Sequence, residues 1–281
     1  MKILVTGGAG FVGTNLLKKL KKDKNNELYS IDNYCIGKKE NHIEGVHYID
    51  DDAQNVFKYE KKYDIIYHLA ALSRIQPSFE DPELTYKYNT SSTIKILELA
   101  KNNDSKVIYS GSSSRHHNPT ISPYAMTKYL GEKLCELYRK SFNLNTHIVR
   151  FYNVYGPYEI IEGDWAAVIG KWRNQINEGK PLTIVGDGEQ RRDFTHIYDI
   201  VDGLIKISNT SSKNYEWELG SKKNYSINEV FKMFELKFGC KPHYVKDQKG
   251  NYRETLREND IAVTELNWSP KYNLEDYISN L

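Results

Sequence analysis

Lys2-Ile3-Leu4-Val5-Thr6-Gly7-Gly8-Ala9-Gly10-Phe11-Val12-Gly13 opens the chain and decides its fold. Ile3-Leu4-Val5 is a continuous apolar run, the pattern of a strand buried on both faces. Gly7, Gly10 and Gly13 stand at G-x-x-G-x-x-G spacing, and Gly8, Gly10 and Gly13 at G-x-G-x-x-G. Glycines there permit a tight turn and let backbone N–H groups approach a pyrophosphate, which the next helix meets with its N-terminus. Residues 14–22 supply that helix, with Leu16, Leu17 and Leu20 on one stripe and lysines opposite. Residues 28–31 read as a second strand, closed by Asp32. Strand, glycine turn, helix and a following acid together separate a dinucleotide site from an ordinary tight turn. A carboxylate at Asp32 accepts from a ribose diol and repels a 2′-phosphate, which predicts NAD rather than NADP. Lys38 and Lys39 are the counter-argument, and they read as a solvated loop. Asp52 is placed for an adenine contact or belongs to an exposed acidic turn, Asp50-Asp51-Asp52.

Outward from this stretch, strands and helices alternate. Further strands are predicted over residues 46–49, 65–69, 107–110 and 147–152, with helices over 84–100 and 124–142. The alternation predicts an α/β fold, a Rossmann-type doubly wound parallel sheet. After Asn153 the pattern loosens. Helices are expected over 166–177, 197–208, from the capping-box sequence Ser226-Ile227-Asn228-Glu229 to Phe238, and in two short pieces, 261–266 and 274–278. One short strand is expected over 182–185. The division expected is 1–153 for a dinucleotide-binding region and 154–281 for a smaller C-terminal substrate-binding lobe, with segments interleaved between the two.

The 281 residues are ample for a substantial core. Basic and acidic residues number 39 and 37, a balance with no general pull toward nucleic acid or membrane. The longest nearly apolar run, 65–72, contains His68 and is far too short to span a bilayer. Lys2 leads at once into a strand rather than into a secretory signal. Cys35, Cys135 and Cys240 are odd in number and far apart, the pattern of free thiols in a reducing cytoplasm.

The candidate catalytic group is Tyr124-Ala125-Met126-Thr127-Lys128. On a helix it sets a phenol and an ammonium one turn apart on one face. Free tyrosine, with a pKa near 10, is a poor base at neutral pH. A cation at i+4 favours phenolate, and an oxidised nicotinamide ring adds to that. The fifth strand ends in Ser110-Gly111-Ser112-Ser113-Ser114, where a serine hydroxyl can bind the same substrate oxygen as the tyrosine.

Together these residues resemble the extended short-chain dehydrogenase/reductase superfamily, in its NAD-dependent nucleotide-sugar epimerase/dehydratase branch, over nearly the whole chain. The segment Gln190-Arg191-Arg192-Asp193-Phe194-Thr195-His196-Ile197-Tyr198-Asp199-Ile200 resembles the one with which these enzymes bind the nucleotide of a sugar donor. The resemblance implies Ser112, Tyr124 and Lys128 as the catalytic group. It implies Gly7, Gly10, Phe11, Val12, Gly13, Asp32, Asn33, Asp52, Ala53, Leu69, Ala70, Ala71, Ser110 and Tyr152 around the cofactor, with Tyr124 and Lys128. For the substrate it implies Asn89, Ser112, Ser113, Asn153 and Arg192, and it raises Arg253 and Thr255 as further contacts. Arg74, after the fourth strand, reaches the sugar or a carboxylate on it, or is a loop arginine paired on the surface. Relatives also pair their equivalents of helices 84–100 and 124–142 into a homodimer, for which Ile94, Leu97, Leu130, Leu134 and Leu137 have the helical spacing.

Three departures stand against the family pattern. The segment between Ser114 and Tyr124 is short, and Arg115-His116-His117 replaces a usual Val-Tyr-Gly. An expected Arg-x-Gly reads Gln248-Lys249-Gly250, with Lys249 or Arg253 as substitutes for the arginine. His116-His117 is no metal pair, because adjacent residues rarely chelate one ion and no nearby ligand completes a set. No metal is expected. Ser113 and Ser114 stand where dehydratases and decarboxylases of the branch carry carboxylates, and the cysteine of related reductases is missing. The resemblance therefore implies 4-epimerisation of a UDP-hexose through a transient 4-keto sugar. The alternatives are a nucleotide-sugar dehydratase or reductase, or a non-catalytic NAD-binding regulator.

Overall fold

The structure is a computed structural model that describes residues 1–59 and 61–281. In the first half, β1 (Lys2–Thr6), α1 (Phe11–Leu20), β2 (Glu27–Asp32), β3 (His47–Asp50) and β4 (Ile65–His68) are followed by α2 (Ile75–Glu80) and α3 (Pro82–Tyr86). Then come α4 (Ser92–Asn103), β5 (Lys106–Ser112), α5 (Pro123–Phe142) and β6 (Thr146–Phe151). The second half holds β7 (Asn153–Tyr155), α6 (Val168–Asn177), β8 (Leu182–Val185), β9 (Arg191–His196), α7 (Ile197–Asn209) and β10 (Glu216–Leu219). It ends with β11 (Asn224–Ser226), α8 (Ile227–Phe238), β12 (Pro242–Val245), α9 (Ile261–Leu266) and α10 (Leu274–Ser279).

Seven strands form one parallel sheet in the order β10-β6-β5-β4-β1-β2-β3. The doubly wound α/β architecture is as the alternation predicts. The central strands β1 and β4 are buried on both faces because each face is covered. Leu16, Leu17 and Leu20 of α1 join Ile200, Leu204 and Ile207 of α7 over one face. Ile96, Leu97 and Ala100 of α4 join Cys135 and Tyr138 of α5 over the other. The order reverses between β1 and β4, so the chain departs in opposite directions there and leaves a crevice at the carboxyl ends of the strands.

The remaining strands pair apart from this sheet, as β11-β9-β7 and β12-β8. Their core gathers Trp172, Leu182, Ile184, Phe194, Phe231 and Phe234. The capping box at Ser226 and Glu229 is present and opens α8. β7, β9, β10, β11 and β12 escape the hydropathy pattern. They are three to six residues long, and β9 opens with two half-buried arginines before four buried residues.

The helix expected over 84–100 runs longer and is interrupted by a π-turn over Lys87–Ser91. That turn directs Asn89 inward. Its amide accepts from the Leu72 N–H at 2.7 Å, donates to the Leu72 carbonyl at 3.0 Å and donates to Thr127 Oγ1 at 2.9 Å. One side chain thus fixes the loop after β4 to α5, the helix that carries Tyr124.

α5 lies close against β5, and Gly131 is the reason it can. A Cβ there would stand 2.0 Å from the Tyr109 hydroxyl. Tyr109 is buried and cannot move aside cheaply. Gly131→Ala is expected to cost about 1–3 kcal/mol of stability. Urea unfolding reads this directly, and an unchanged midpoint would contradict the close-contact account.

Candidate active site

At the carboxyl ends of β1, β2, β4, β5 and β6 lies a cavity of about 720 Å³. Its floor is the glycine turn. A Cβ on Gly13 would sit 2.2 Å from the Gly7 carbonyl oxygen, and Gly7 itself has φ +72°. Only glycine at both places lets the start of α1 press onto the end of β1. Phe11, Val12 and Gly10 line the same wall.

Asp32 closes β2 beside this turn. Its Oδ2 accepts from the Ala9 N–H and its Oδ1 from the Tyr34 N–H, both at 2.9 Å. Burial pushes its carboxyl above the usual value, and the two amide bonds oppose that shift. Asn33, Asp52 and Ala53 line the cavity next to it. Asp52 also caps a short turn by accepting from Gln54 N–H at 2.9 Å. Lys39 pairs with exposed Asp50 at 2.7 Å, which holds it in the solvated loop. Under the cavity, buried His68 bridges Thr6 at 2.8 Å and Thr93 at 3.0 Å. Thr6 in turn accepts from the Ala70 N–H at 3.1 Å. Leu69, Ala70 and Ala71 form the wall above. A tight backbone cradle, a helix N-terminus and a ribose-facing carboxylate in one cavity fit a dinucleotide.

The second wall carries the reactive group. The Tyr124 hydroxyl donates to Ser112 Oγ at 3.2 Å. Lys128, one turn on, donates to the Ser110 carbonyl at 2.8 Å. Burial lowers the Lys128 pKa to about 8, against the pull of Glu132 and Cys135. Burial raises the phenol, while the Ser112 bond and the charge of Arg74 pull it back. The lysine ammonium bonds Ser110 and lines the cavity together with Tyr124.

Ser113, Asn153, Tyr152, Arg192, Thr255 and Arg74 line the cavity as well. Asn153 donates to Thr255 Oγ1 at 3.3 Å. Tyr152 donates to Glu218 Oε2 at 3.0 Å. Burial takes the Arg192 pKa down to about 10. Two expected contacts lie elsewhere. Asn89 is buried behind the wall, in the bonds to Leu72 and Thr127. Arg253 is largely exposed and pairs with Asp187 through both of its terminal nitrogens, at 3.1 and 3.0 Å. Lys249 lies over the Phe79 ring, 5.0 Å from its centre. Neither side chain is among the cavity's lining residues. Tyr88, Tyr252 and the stretch 160–169 contribute lining that no motif announces. The inward turn of the π segment brings Tyr88, and the shortened loop brings Tyr252, whose ring stacks on His117 at 4.0 Å.

Arg115-His116-His117 is structural. His116 stands between Glu218 Oε1 at 2.6 Å and Glu258 Oε2 at 2.9 Å, the first contact out of line for a hydrogen bond. Arg115 approaches Glu132, which Arg150 holds at 2.8 Å. These groups tie the shortened loop to β10 and α5.

A sequence model described as the NAD dependent epimerase/dehydratase family matches residues 3–220. A UDP-glucuronate 4-epimerase of Thermodesulfobacterium geofontis is 33% identical over 75% of this chain and 69% of its own. A Bacillus cereus UDP-glucuronic acid 4-epimerase, solved with UDP-glucuronic acid and NAD, superposes with a TM-score of 0.91 at 31% identity, covering 99% of this chain and 96% of that one. A Thermotoga maritima UDP-glucose 4-epimerase, solved with UDP-glucose, gives 0.91 at 27% identity over 99% and 96%. The chain belongs to the NAD-dependent epimerase/dehydratase family.

Tyr124→Phe removes one oxygen and leaves the glycine turn and Asp32 intact. It is expected to keep bound NAD, recoverable on denaturation, while turnover falls at least about 100-fold. Near wild-type turnover would remove Tyr124 from the role of base.

Proposed function

We propose that this protein is an NAD-dependent 4-epimerase of a nucleotide-activated hexose, acting on UDP-glucose and UDP-galactose or on the N-acetylhexosamine pair. The observation that carries this reading is the Tyr124–Ser112 contact at 3.2 Å, in one cavity with the glycine turn. Ser113 follows where a carboxylate would serve elimination or decarboxylation. NAD, when bound, would supply a reversible hydride acceptor. Gly7, Gly10 and Gly13 would hold its pyrophosphate, and Asp32 its ribose.

Tyr124 takes the proton of the sugar 4-hydroxyl and gives it back after the 4-keto sugar has turned over. Ser112 binds the same oxygen throughout. Lys128 reaches the cofactor ribose and keeps a positive charge near the reacting atoms. Arg192 binds the diphosphate, and Asn153 and Thr255 lie against the sugar. The nucleotide half of the substrate sits in the lobe built mainly from 154–281. A dehydratase or reductase would need an acid or thiol beside Ser112, and a regulator would need neither Tyr124 nor Lys128.

The protein is read as a cytoplasmic homodimer. No described helix is long and apolar enough to cross a membrane. Ile94 of α4 and Leu137 and Phe142 of α5 are exposed, a face available for pairing two copies. Leu97 is excluded from that face, because it is fully buried against the sheet. Light scattering at micromolar concentration is expected to give twice the 32.7 kDa chain mass, and a stable monomer would refute the dimer.

Thr255 sets the room beside C2 of the sugar. It is small and held on both sides by backbone pairing with Arg191 and Asp193. UDP-N-acetylglucosamine is therefore expected to turn over alongside UDP-glucose, and Thr255→Tyr to shift the kcat/KM ratio toward the plain hexose. Exclusion of the acetylated sugar by the wild type, or an unmoved ratio in the variant, rules Thr255 out as the gate. Failure of every UDP-hexose to equilibrate between its C4 epimers, with NAD bound, rules out the function.

A further inference from the structure

Tyr88, Tyr124, Tyr152 and Tyr252 all line the cavity, and among the described residues only Tyr152 gives its hydroxyl to a carboxylate. Tyr152 follows Phe151, the register partner of Ser112, so its buried ring stands beside the serine of the reactive pair. The ring lies on Gly220, where a Cβ would come 2.9 Å from its Cδ2. The phenol donates to Glu218 Oε2 at 3.0 Å. Burial and the charge of Glu218 push its pKa far above the ordinary value, which keeps it a donor.

The place of this ring therefore depends on how Glu218 is set, and Glu218 lies between two basic side chains. On one side Arg150 Nη1 stands 3.8 Å from Oε1. On the other, His116 Nε2 lies 2.6 Å from the same oxygen, out of line for a hydrogen bond, and His116 Nδ1 faces Glu258 Oε2 at 2.9 Å. Oε2 is left to accept from Tyr152 and from the Glu258 N–H at 2.8 Å. Arg150 is fixed by its bonds to Glu132 and Glu216, and an unrestrained carboxylate turns toward such a cation. Glu218 is 1% exposed, so water has no room to restrain it instead. The short turn that carries His116 begins directly after Ser112, whose Oγ also accepts from the Ser114 N–H at 3.1 Å.

We infer that His116 is a positioning residue for the reaction: through Glu218 it fixes the Tyr152 ring at the reacting end of the cavity. This rests on the 4-epimerase reading for the step that is measured, while the chain of contacts is the same whichever sugar turns over. Without His116 the carboxylate swings toward Arg150, Oε2 leaves the phenol, and the ring loses its outer anchor. The glycine turn and Asp32 lie on the opposite wall and keep their contacts, so the cost falls on turnover and not on cofactor binding.

The test uses the NAD-loaded protein and a UDP-hexose. His116→Ala is expected to lower kcat by roughly ten- to a hundredfold, the cost of a misplaced group at a reacting centre, with KM and bound NAD little changed. His116→Gln keeps a donor against Glu218 and is expected to retain most of the rate. In a Tyr152→Phe background, which already lacks the hydroxyl, His116→Ala is expected to cost nothing further, as residues in one chain of contacts do. A crystal structure of His116→Ala is expected to show Glu218 turned to Arg150 and the Tyr152 hydroxyl off Oε2. If the alanine variant does not fold, His116→Asn, polar but too short to reach Glu218, carries the same measurements. A lower melting temperature with kcat intact makes His116 structural only and overturns the inference. An equal loss in the Tyr152→Phe background overturns it in favour of the turn after Ser112, and so does a Tyr152 hydroxyl still bonded to Glu218 in the variant crystal. Release of Tyr152 in that crystal, with no epimerisation of any UDP-hexose by the wild type, supports the positioning role and overturns the reaction.

Discussion

The contact on which this structure depends is the one a side chain would forbid, between Gly13 and the carbonyl of Gly7. With 2.2 Å between that oxygen and the position of a Cβ, no other residue lets α1 begin so close to the end of β1. The helix start must lie there for its free N–H groups to face the cavity. Asp32 is fixed by the same turn, through the Ala9 N–H. His68 and Thr6 then hold the β4 end level with it. Cofactor cradle, ribose acceptor and cavity wall thus descend from one backbone approach.

The other side of the cavity is held by charge. Arg150 on β6 bonds Glu132 on α5 through two nitrogens and reaches Glu216 on β10 at 2.5 Å. Glu218, also on β10, receives Tyr152 and the Glu258 N–H, and faces His116. Burial works against the charges of Arg150 and Glu218, and such a cluster persists only with its buried members partnered. Its arrangement explains how a shortened loop after Ser114 still closes the site.

Much of this was legible because it follows from local rules. The glycine spacing, the apolar runs and the acid after the second strand require the sheet and the cofactor end, and Tyr124 with Lys128 requires only helical periodicity. What stayed hidden depends on pairings across long separations. Glu216 and Glu218 read as an unremarkable polar stretch until β10 is laid beside β6. The inward turn of Asn89 needs a π-turn, which leaves no mark in hydropathy. Lys128 reads as the partner of the phenol from spacing alone, yet its ammonium is claimed by the Ser110 carbonyl. Arg253 reads as a free cation because Asp187, its partner, lies on a different loop.

The edge position of β10 has a mechanical consequence. This strand comes from the second half of the chain and is zipped onto β6 along Glu216–Leu219. α7, just before it, packs on α1 and covers the face of the sheet over β5, β6 and β10. The two halves are therefore laced rather than hinged, and neither can swing open as a rigid flap without tearing a strand from the sheet. Ligand entry and exit then fall to the loops at the cavity mouth, such as 160–167 ahead of α6. A sugar that must present first one face and then the other turns inside a container of fixed shape.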